Sequence, residues 1–323
     1  MRRTLITAAL LMVMCGVAAV PAQRRGSRQE ADGGRRGRGA ASVVLPNGTT
    51  VRRDLAYVAG GDPQQVLDLY TPGKGRTPPP LIVAVPGGAW RSETRNNAHL
   101  AWGIPLFLRA GFAVASVDHR PSTRGLFPAQ IHDVKAAVRW LRANASTLGI
   151  NADRIGAWGT SSGGHLVALL GTSGDVPEMD GALGVTGLSA RVHAVVDWFG
   201  PTDFLQMDTH RLKDGGITHN RPNSPESELI GGPIQSMQSA VRTANPITYI
   251  SADDPPFLIL HGDQDRLVPH HQSELLHAAL TAARVPSQMI TITGAGHGDG
   301  GFRSDKVGKR MVEFFERSLR TAP

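Results

Sequence analysis

The chain has 323 residues, 41% of them hydrophobic and 19% charged, with a formal net charge of +7. That length and composition exclude a collagen-like, coiled-coil or wholly disordered polymer and allow one large α/β domain or two small ones. Residues 1–40 hold eight arginines and two acidic residues, leaving 26 basic and 25 acidic residues for the rest. The positive charge therefore belongs to the N-terminal segment, and the folded part is nearly neutral.

Residues 1–22 have the pattern of an export signal. Arg2 and Arg3 precede the apolar run Leu5–Val20, and Val20 and Ala22 fit a small-residue cleavage site. The run is shorter than the ~20 apolar residues of a membrane span and breaks at Pro21. The expectation is a secreted or periplasmic protein with no stable membrane insertion. The single cysteine, Cys15, lies within this segment, so the mature chain is expected to have neither a disulfide nor a thiol nucleophile. Residues 23–45 are rich in glycine and arginine without an apolar period, which predicts a disordered linker. No aromatic is interleaved there to stack on bases, so a nucleic-acid partner is not expected.

Residues 46–323 are expected to form the folded domain. The stretches 51–58 and 65–72 predict an edge hairpin, and the apolar runs at 80–85 and 111–117 predict buried strands. Ile131, Val134, Val138 and Leu141 recur at helical spacing. A short strand over 154–158 leads into a helical pattern over 164–171. Strands follow at 191–199, 255–262 and 287–293, with helices at 270–284 and 306–319. Alternating strands and helices predict a parallel sheet covered on both faces. Residues 203–250 break this rhythm with proline, glycine, asparagine and serine, and read as an insertion over the carboxyl ends of the strands.

Between the strand at 154–158 and the helix at 164–171 stands Gly159-Thr160-Ser161-Ser162-Gly163, a G-x-S-x-G match in the strand-turn-helix context this motif needs. A serine at the tip of such a turn has strained backbone angles, and only small residues fit two places before and after it. Ser161 occupies the tip. Ser162 contributes its backbone N–H, which can stabilise an oxyanion at the helix start. A serine hydroxyl needs a base to take its proton. His297 lies in a glycine-rich loop after a predicted strand, and Asp263 and Asp265 follow another. The order Ser161, Asp265, His297 is that of an acyl-transfer triad. Gly87, Gly88 and Ala89 follow the strand at 80–85, where a second oxyanion donor is required, so the amides of Gly88 and Ala89 are candidates beside Ser162. No H-E-x-x-H or Cys/His pairing is present, and neither a metal nor an organic cofactor is expected.

The segments 127–173, 224–232, 255–280 and 294–298 together resemble the α/β-hydrolase fold of esterases. They are most similar to the branch containing bifunctional acetylxylan esterase/feruloyl esterase domains. The resemblance implies a mostly parallel sheet with helices on both faces and a small insertion over the strand C-termini. It implies Ser161 as nucleophile, His297 as base, Asp265 as acid and Asp263 as a loop-former. It also implies ester substrates, small molecules or acyl groups on plant polysaccharides such as acetyl or feruloyl. Where that branch has His before Gly-Gly, this chain has Pro86, and where it has Asn-Tyr-Arg this chain has Asp118-His119-Arg120. Trp90, Arg91 and Trp198, with the 203–250 insertion, are expected to shape the substrate pocket. The alternatives are a prolyl-oligopeptidase-like serine peptidase, distinguished by peptide amide substrates, and a non-catalytic binding protein, distinguished by failure to react with a fluorophosphonate.

Overall fold

The computed structural model describes residues 44–320 apart from 74, 76, 93, 175 and 214. The expected signal, and the linker up to residue 43, lie outside the described residues. The strands are β1 (Thr50–Ala56), β2 (Val66–Thr71), β3 (Pro80–Val85), β4 (Ala113–Val117), β5 (Asn151–Thr160), β6 (Ala194–Trp198), β7 (Phe257–Gly262) and β8 (Ser287–Ile292). They form one sheet in the order β1-β2-β4-β3-β5-β6-β7-β8. β1 and β2 are the antiparallel edge hairpin, and β2 meets β4 antiparallel. All other neighbours are parallel.

The longer helices are α1 (Ala98–Arg109), α2 (Ala129–Ala143), then α3 (Ala145–Leu148), a single turn, and α4 (Ser162–Thr172). After the short α5 (Pro177–Asp180), the region between β6 and β7 carries α6 (Met207–His210), α7 (Pro225–Ile230) and α8 (Gln238–Ala244). α9 (His271–Ala282) and α10 (Asp305–Leu319) complete the fold.

The central strands are apolar at nearly every position because both faces are covered. Leu81, Val83, Val85, Ala157, Val195 and Ile259 face one way, into a core shared with α2, α4, α9 and the insertion. Ile82, Ala84, Trp158, Val196, Trp198 and Leu260 face the other way, onto α1 and α10. α1 forms despite Pro105 in its interior. The Asn97 side chain caps it by accepting from the Leu100 N–H at 2.9 Å, and Leu100, Ile104, Phe107 and Leu108 are buried against the sheet. Packing of that face offsets the hydrogen bond the proline cannot make.

The insertion sits on the side of the strand ends. His165 of α4 bonds through Nε2 to the Ala244 carbonyl at 2.7 Å, and the Phe127 N–H donates to the Leu229 carbonyl at 2.9 Å. These bonds fix the insertion to α4 and to the approach of α2, beside the turn that begins α4.

Candidate active site

β5 runs straight into α4 through Ser161, whose backbone has φ 55° and ψ −124°. A β-carbon costs energy in that region, so the conformation persists only where neighbours dictate it. They do so here. The Ser161 N–H donates to the Trp198 carbonyl at 2.8 Å, and the Ser161 carbonyl accepts from the His165 N–H at 3.0 Å. The turn is too crowded for any side chain at its flanks. A β-carbon on Gly159 would lie 2.1 Å from the Gly163 carbonyl oxygen, and one on Gly163 would lie 2.2 Å from that of Val85. Because the atoms a Gly163 β-carbon would meet are backbone oxygens of Val85 at the end of β3 and of Pro86 just after it, Gly163→Ala is expected to cost about 3 kcal/mol, the upper end for overpacking. Urea unfolding of the variant checks this by its midpoint.

The loop after β3 presses against the same turn. A β-carbon on Gly87 would lie 2.7 Å from the Thr160 carbonyl oxygen and 3.1 Å from the Ser161 β-carbon. Gly88, Ala89 and Trp90 then run with positive φ of 129°, 57° and 56°. For alanine and tryptophan this is strained backbone. The turn is closed by the Arg91 N–H on the Gly88 carbonyl at 2.9 Å and by the Ser122 N–H on the Trp90 carbonyl at 2.7 Å. The Arg91 side chain ties it to the insertion, through Nε to Glu228 Oε2 at 2.6 Å and Nη2 to the Asn223 carbonyl at 2.8 Å. Among the described residues the amides of Gly88 and Ala89 have no acceptor. The Ser162 N–H, first in α4, has no partner four residues back. The Pro86 carbonyl packs against Gly163, where a β-carbon would lie 2.5 Å away.

Asp265 and His297 meet directly. His297 Nδ1 bonds to Asp265 Oδ2 at 2.7 Å. Asp265 is buried, and its Oδ1 accepts from the N–H groups of Leu267 and Val268 at 2.7 and 2.9 Å. Burial alone would raise its pKa, but the bonds from His261 and His297 outweigh that and hold the carboxyl well below its ordinary range. With Nδ1 donating to the carboxylate, His297 Nε2 is the nitrogen left to accept a proton. Its ring lies on Phe199, centroids 4.4 Å apart. Phe199 follows Trp198, whose carbonyl holds the Ser161 amide, so one short segment supports both the serine turn and the imidazole. The Ser161 hydroxyl makes no hydrogen bond among the described residues. Such bonds commonly form only once substrate is bound. Asp263 Oδ1 accepts from the Gly294 N–H at 2.7 Å, joining the loops after β7 and β8.

His261 is a site residue that the sequence reading missed. It is fully buried in β7, with Nε2 2.9 Å from the Val268 carbonyl and 3.2 Å from Asp265 Oδ2. Both partners are acceptors, so Nε2 carries the proton and Nδ1 accepts from Ser273 Oγ at 2.7 Å. Asp265 Oδ2 is thus shared between two imidazoles.

Two expected pocket residues are corrected. Trp198 is fully buried on the α1/α10 side of the sheet, against Trp158, Trp102 and Phe302. Its side chain is sealed within that layer, and its carbonyl serves the site by accepting from the Ser161 N–H. Trp90 is also buried, edge-on to His165 and Phe204. It lines a cavity of about 20 Å³ with Gly88, Arg91 and His119, room for about one water and not for an acyl group.

Beneath the first turn of α4 lies Asp197, which burial pushes up to about 7. Its Oδ1 accepts from the Gly200 N–H at 3.0 Å. A carboxyl with a raised folded-state pKa binds its proton more tightly than in the unfolded chain. Its contribution to stability is therefore fully present below about pH 4 and is lost as pH rises to about 7. Asp197→Asn removes that dependence. The stability difference between variant and parent is expected to shift in the variant's favour by 2–4 kcal/mol, in order of magnitude, between pH 4.5 and 7.5. Urea unfolding at the two pH values measures it.

A mostly parallel sheet of this order, with a strained serine between β5 and α4 and an Asp–His pair on the loops after β7 and β8, defines a protein of the α/β-hydrolase fold. A family profile named BD-FAE matches residues 67–280, and the chain belongs to that family. It is similar to the esterase LipC of Mycobacterium tuberculosis, 32% identical over 76% of this chain and 59% of LipC. LipQ of the same organism is 30% identical over 71% of this chain and 52% of its own length. The chain thus spans about half the length of the curated relatives it matches. Among solved structures, a truncated carbohydrate esterase from gut microbiota aligns with TM-score 0.77 and 35% identity, over 84% of this chain and 97% of that one. A bifunctional GH43-CE protein of Bacteroides eggerthii aligns with TM-score 0.74 and 37% identity, over 83% of this chain and 35% of that one.

Proposed function

We propose that this protein is an exported serine esterase that removes small acyl groups, acetyl or feruloyl, from plant polysaccharides. The observation that carries the chemistry is the 2.7 Å bond between His297 Nδ1 and the buried Asp265 carboxylate, on the same supporting segment as the strained Ser161 turn. Ser161 Oγ attacks the ester carbonyl carbon while His297 Nε2 takes its proton. The carbonyl oxygen becomes an oxyanion facing the amides of Ser162, Gly88 and Ala89. Each such donor is worth about 3 kcal/mol of barrier. His297 then protonates the departing alcohol, leaving an acyl group on Ser161. A water deprotonated by His297 attacks that acyl carbon and restores the free serine. Asp265 keeps the imidazole in the right tautomer and stabilises its charged form.

The substrate assignment draws on the carbohydrate esterases among the structural neighbours, and export on the N-terminal pattern. A panel of p-nitrophenyl esters from acetate to decanoate, with methyl ferulate and acetylated xylan beside it, tests this. Acetate is expected to turn over at least tenfold faster than decanoate, with acetate released from the xylan. Preference for decanoate, or inert xylan, would overturn the substrate assignment while leaving the triad standing.

A further inference from the structure

We infer that, on the esterase reading, His261 is a positioning residue: a second imidazole on the Asp265 oxygen that His297 uses, it sets how strongly that carboxylate supports the base. Strand alternation places it. Phe257 and Ile259 precede it at two-residue intervals and face the core shared with α9, so the His261 side chain leaves β7 on that side. There it is fully buried between α9, which supplies Ser273, and the loop after β7, which supplies Asp265 and Val268.

A neutral imidazole has one N–H to give. Ser273 Oγ, itself fully buried, donates to His261 Nδ1 at 2.7 Å and keeps that proton on Nε2. Nε2 divides it between the Val268 carbonyl at 2.9 Å and Asp265 Oδ2 at 3.2 Å. The Asp265 carboxylate is then saturated. Oδ1 takes the Leu267 and Val268 amides and Oδ2 takes His261 and His297, filling the roughly four acceptor positions a carboxylate has. Among the described residues no other side chain bonds to it. His270, its ring 5.4 Å from that of His261, pairs instead with Glu274 and lies in the field of Asp263. His99 of α1, with Arg303 near it, interacts with the charge on His297, and Asp299 accepts from the Gly296 N–H.

The four donors fix the plane of the carboxylate, so Oδ2 stays on His297 Nδ1. They also share its charge. Against the upward push of burial, the bonds from His261 and His297 together hold the carboxyl below its ordinary range. An oxygen that already accepts from His261 attracts the charged imidazolium at 297 less than a bare one would. The ring at 297 therefore returns its proton to the departing alcohol more readily, and the reaction runs further toward acid pH. The divided bond of His261 can also lengthen or shorten as His297 gains and loses charge, with the Val268 carbonyl taking up the difference.

The test uses the full chain with isotope-labelled histidine, followed by NMR across pH. The His261 Nε2–H resonance is expected to shift along the same sigmoid as the His297 ring, because both draw on one oxygen. Two substitutions then separate donation from packing. The new amide of His261→Asn stands near the place of Nδ1 and falls short of Asp265, whereas that of His261→Gln stands near the place of Nε2 and reaches it. His261→Asn is expected to lower kcat for p-nitrophenyl acetate about tenfold with KM within about threefold, the scale of losing a partner that orients an active group. The acid limb of its kcat/KM profile is expected to move up by about half a pH unit or more. His261→Gln is expected to restore the parent's acid limb. Urea midpoints and the fraction of chain labelled by a fluorophosphonate correct for misfolded protein. The inference is overturned if the His261 resonance stays flat while His297 titrates, if His261→Asn keeps the parent's acid limb, or if His261→Gln behaves as His261→Asn does. Should His261→Asn fail to fold, the resonance of the parent decides alone. A parent that neither hydrolyses the ester nor takes the label fails the esterase reading, and the resonance still decides whether the oxygen is shared.

Discussion

Replacing Ser161 with alanine is expected to lower kcat/KM for p-nitrophenyl acetate by about 10⁴-fold or more, the loss seen when a triad nucleophile is removed. The same change at the adjacent serine is expected to cost less than about tenfold, because the oxyanion donor it supplies is a backbone amide. The structure sharpens this contrast. Ser162 Oγ is buried without a hydrogen-bond partner among the described residues, so Ser162→Ala deletes a polar atom that was already unsatisfied. Ser162→Ala should therefore fold at least as stably as the parent. Ser161→Ala should also fold, and it relieves none of the strain at φ 55° because alanine keeps the β-carbon. Rates and urea midpoints of both variants, measured together, separate chemistry from folding.

Asp265→Asn is expected to lower kcat by about 10⁴-fold with a smaller change in KM. Asparagine can keep an oxygen toward the amides of Leu267 and Val268. Its NH₂ group then points at His297 Nδ1 and His261 Nε2, both of which donate to the carboxylate in the parent. Donor meets donor, and His297 must turn or adopt the wrong tautomer. A stability consequence follows with a definite sign. The Asp265 carboxyl is held below its ordinary range, so the stability it contributes is fully present above about pH 4 and is lost as pH falls further. The parent should lose more stability on acidification below pH 4 than the asparagine variant, measured by urea unfolding at pH 5 and pH 3.

The strands and most of the longer helices were legible because parallel strands buried on both faces are unbroken apolar runs, and their covering helices keep one apolar stripe. α1 escaped. Gly103 and Pro105 sit in its middle and read as breakers, whereas the buried spacing of Leu100, Ile104, Phe107 and Leu108 carries the helix. At the site, Ser161 and its flanking glycines were legible because the turn is local and its steric demands are written in adjacent residues. Asp265 and His297 are 32 residues apart, and their meeting depends on β7 and β8 being neighbours in the sheet. His261 was passed over because it ends an apolar strand and its partner, Ser273, belongs to the following helix. Trp198 was misassigned on its nearness to the strand end. Period-two alternation places it with Ala194 and Val196, on the face that α1 and α10 cover, and that was the signal to use.

The central claim is that the residue-161 hydroxyl is made nucleophilic by the imidazole at 297. Treating the protein with a fluorophosphonate and mapping the adduct by mass spectrometry of its peptides tests it most directly. One phosphonyl group per chain is expected, on Ser161, with labelling slowed at least a hundredfold in His297→Ala. An adduct on Ser162, or labelling that His297→Ala leaves unchanged, would contradict it.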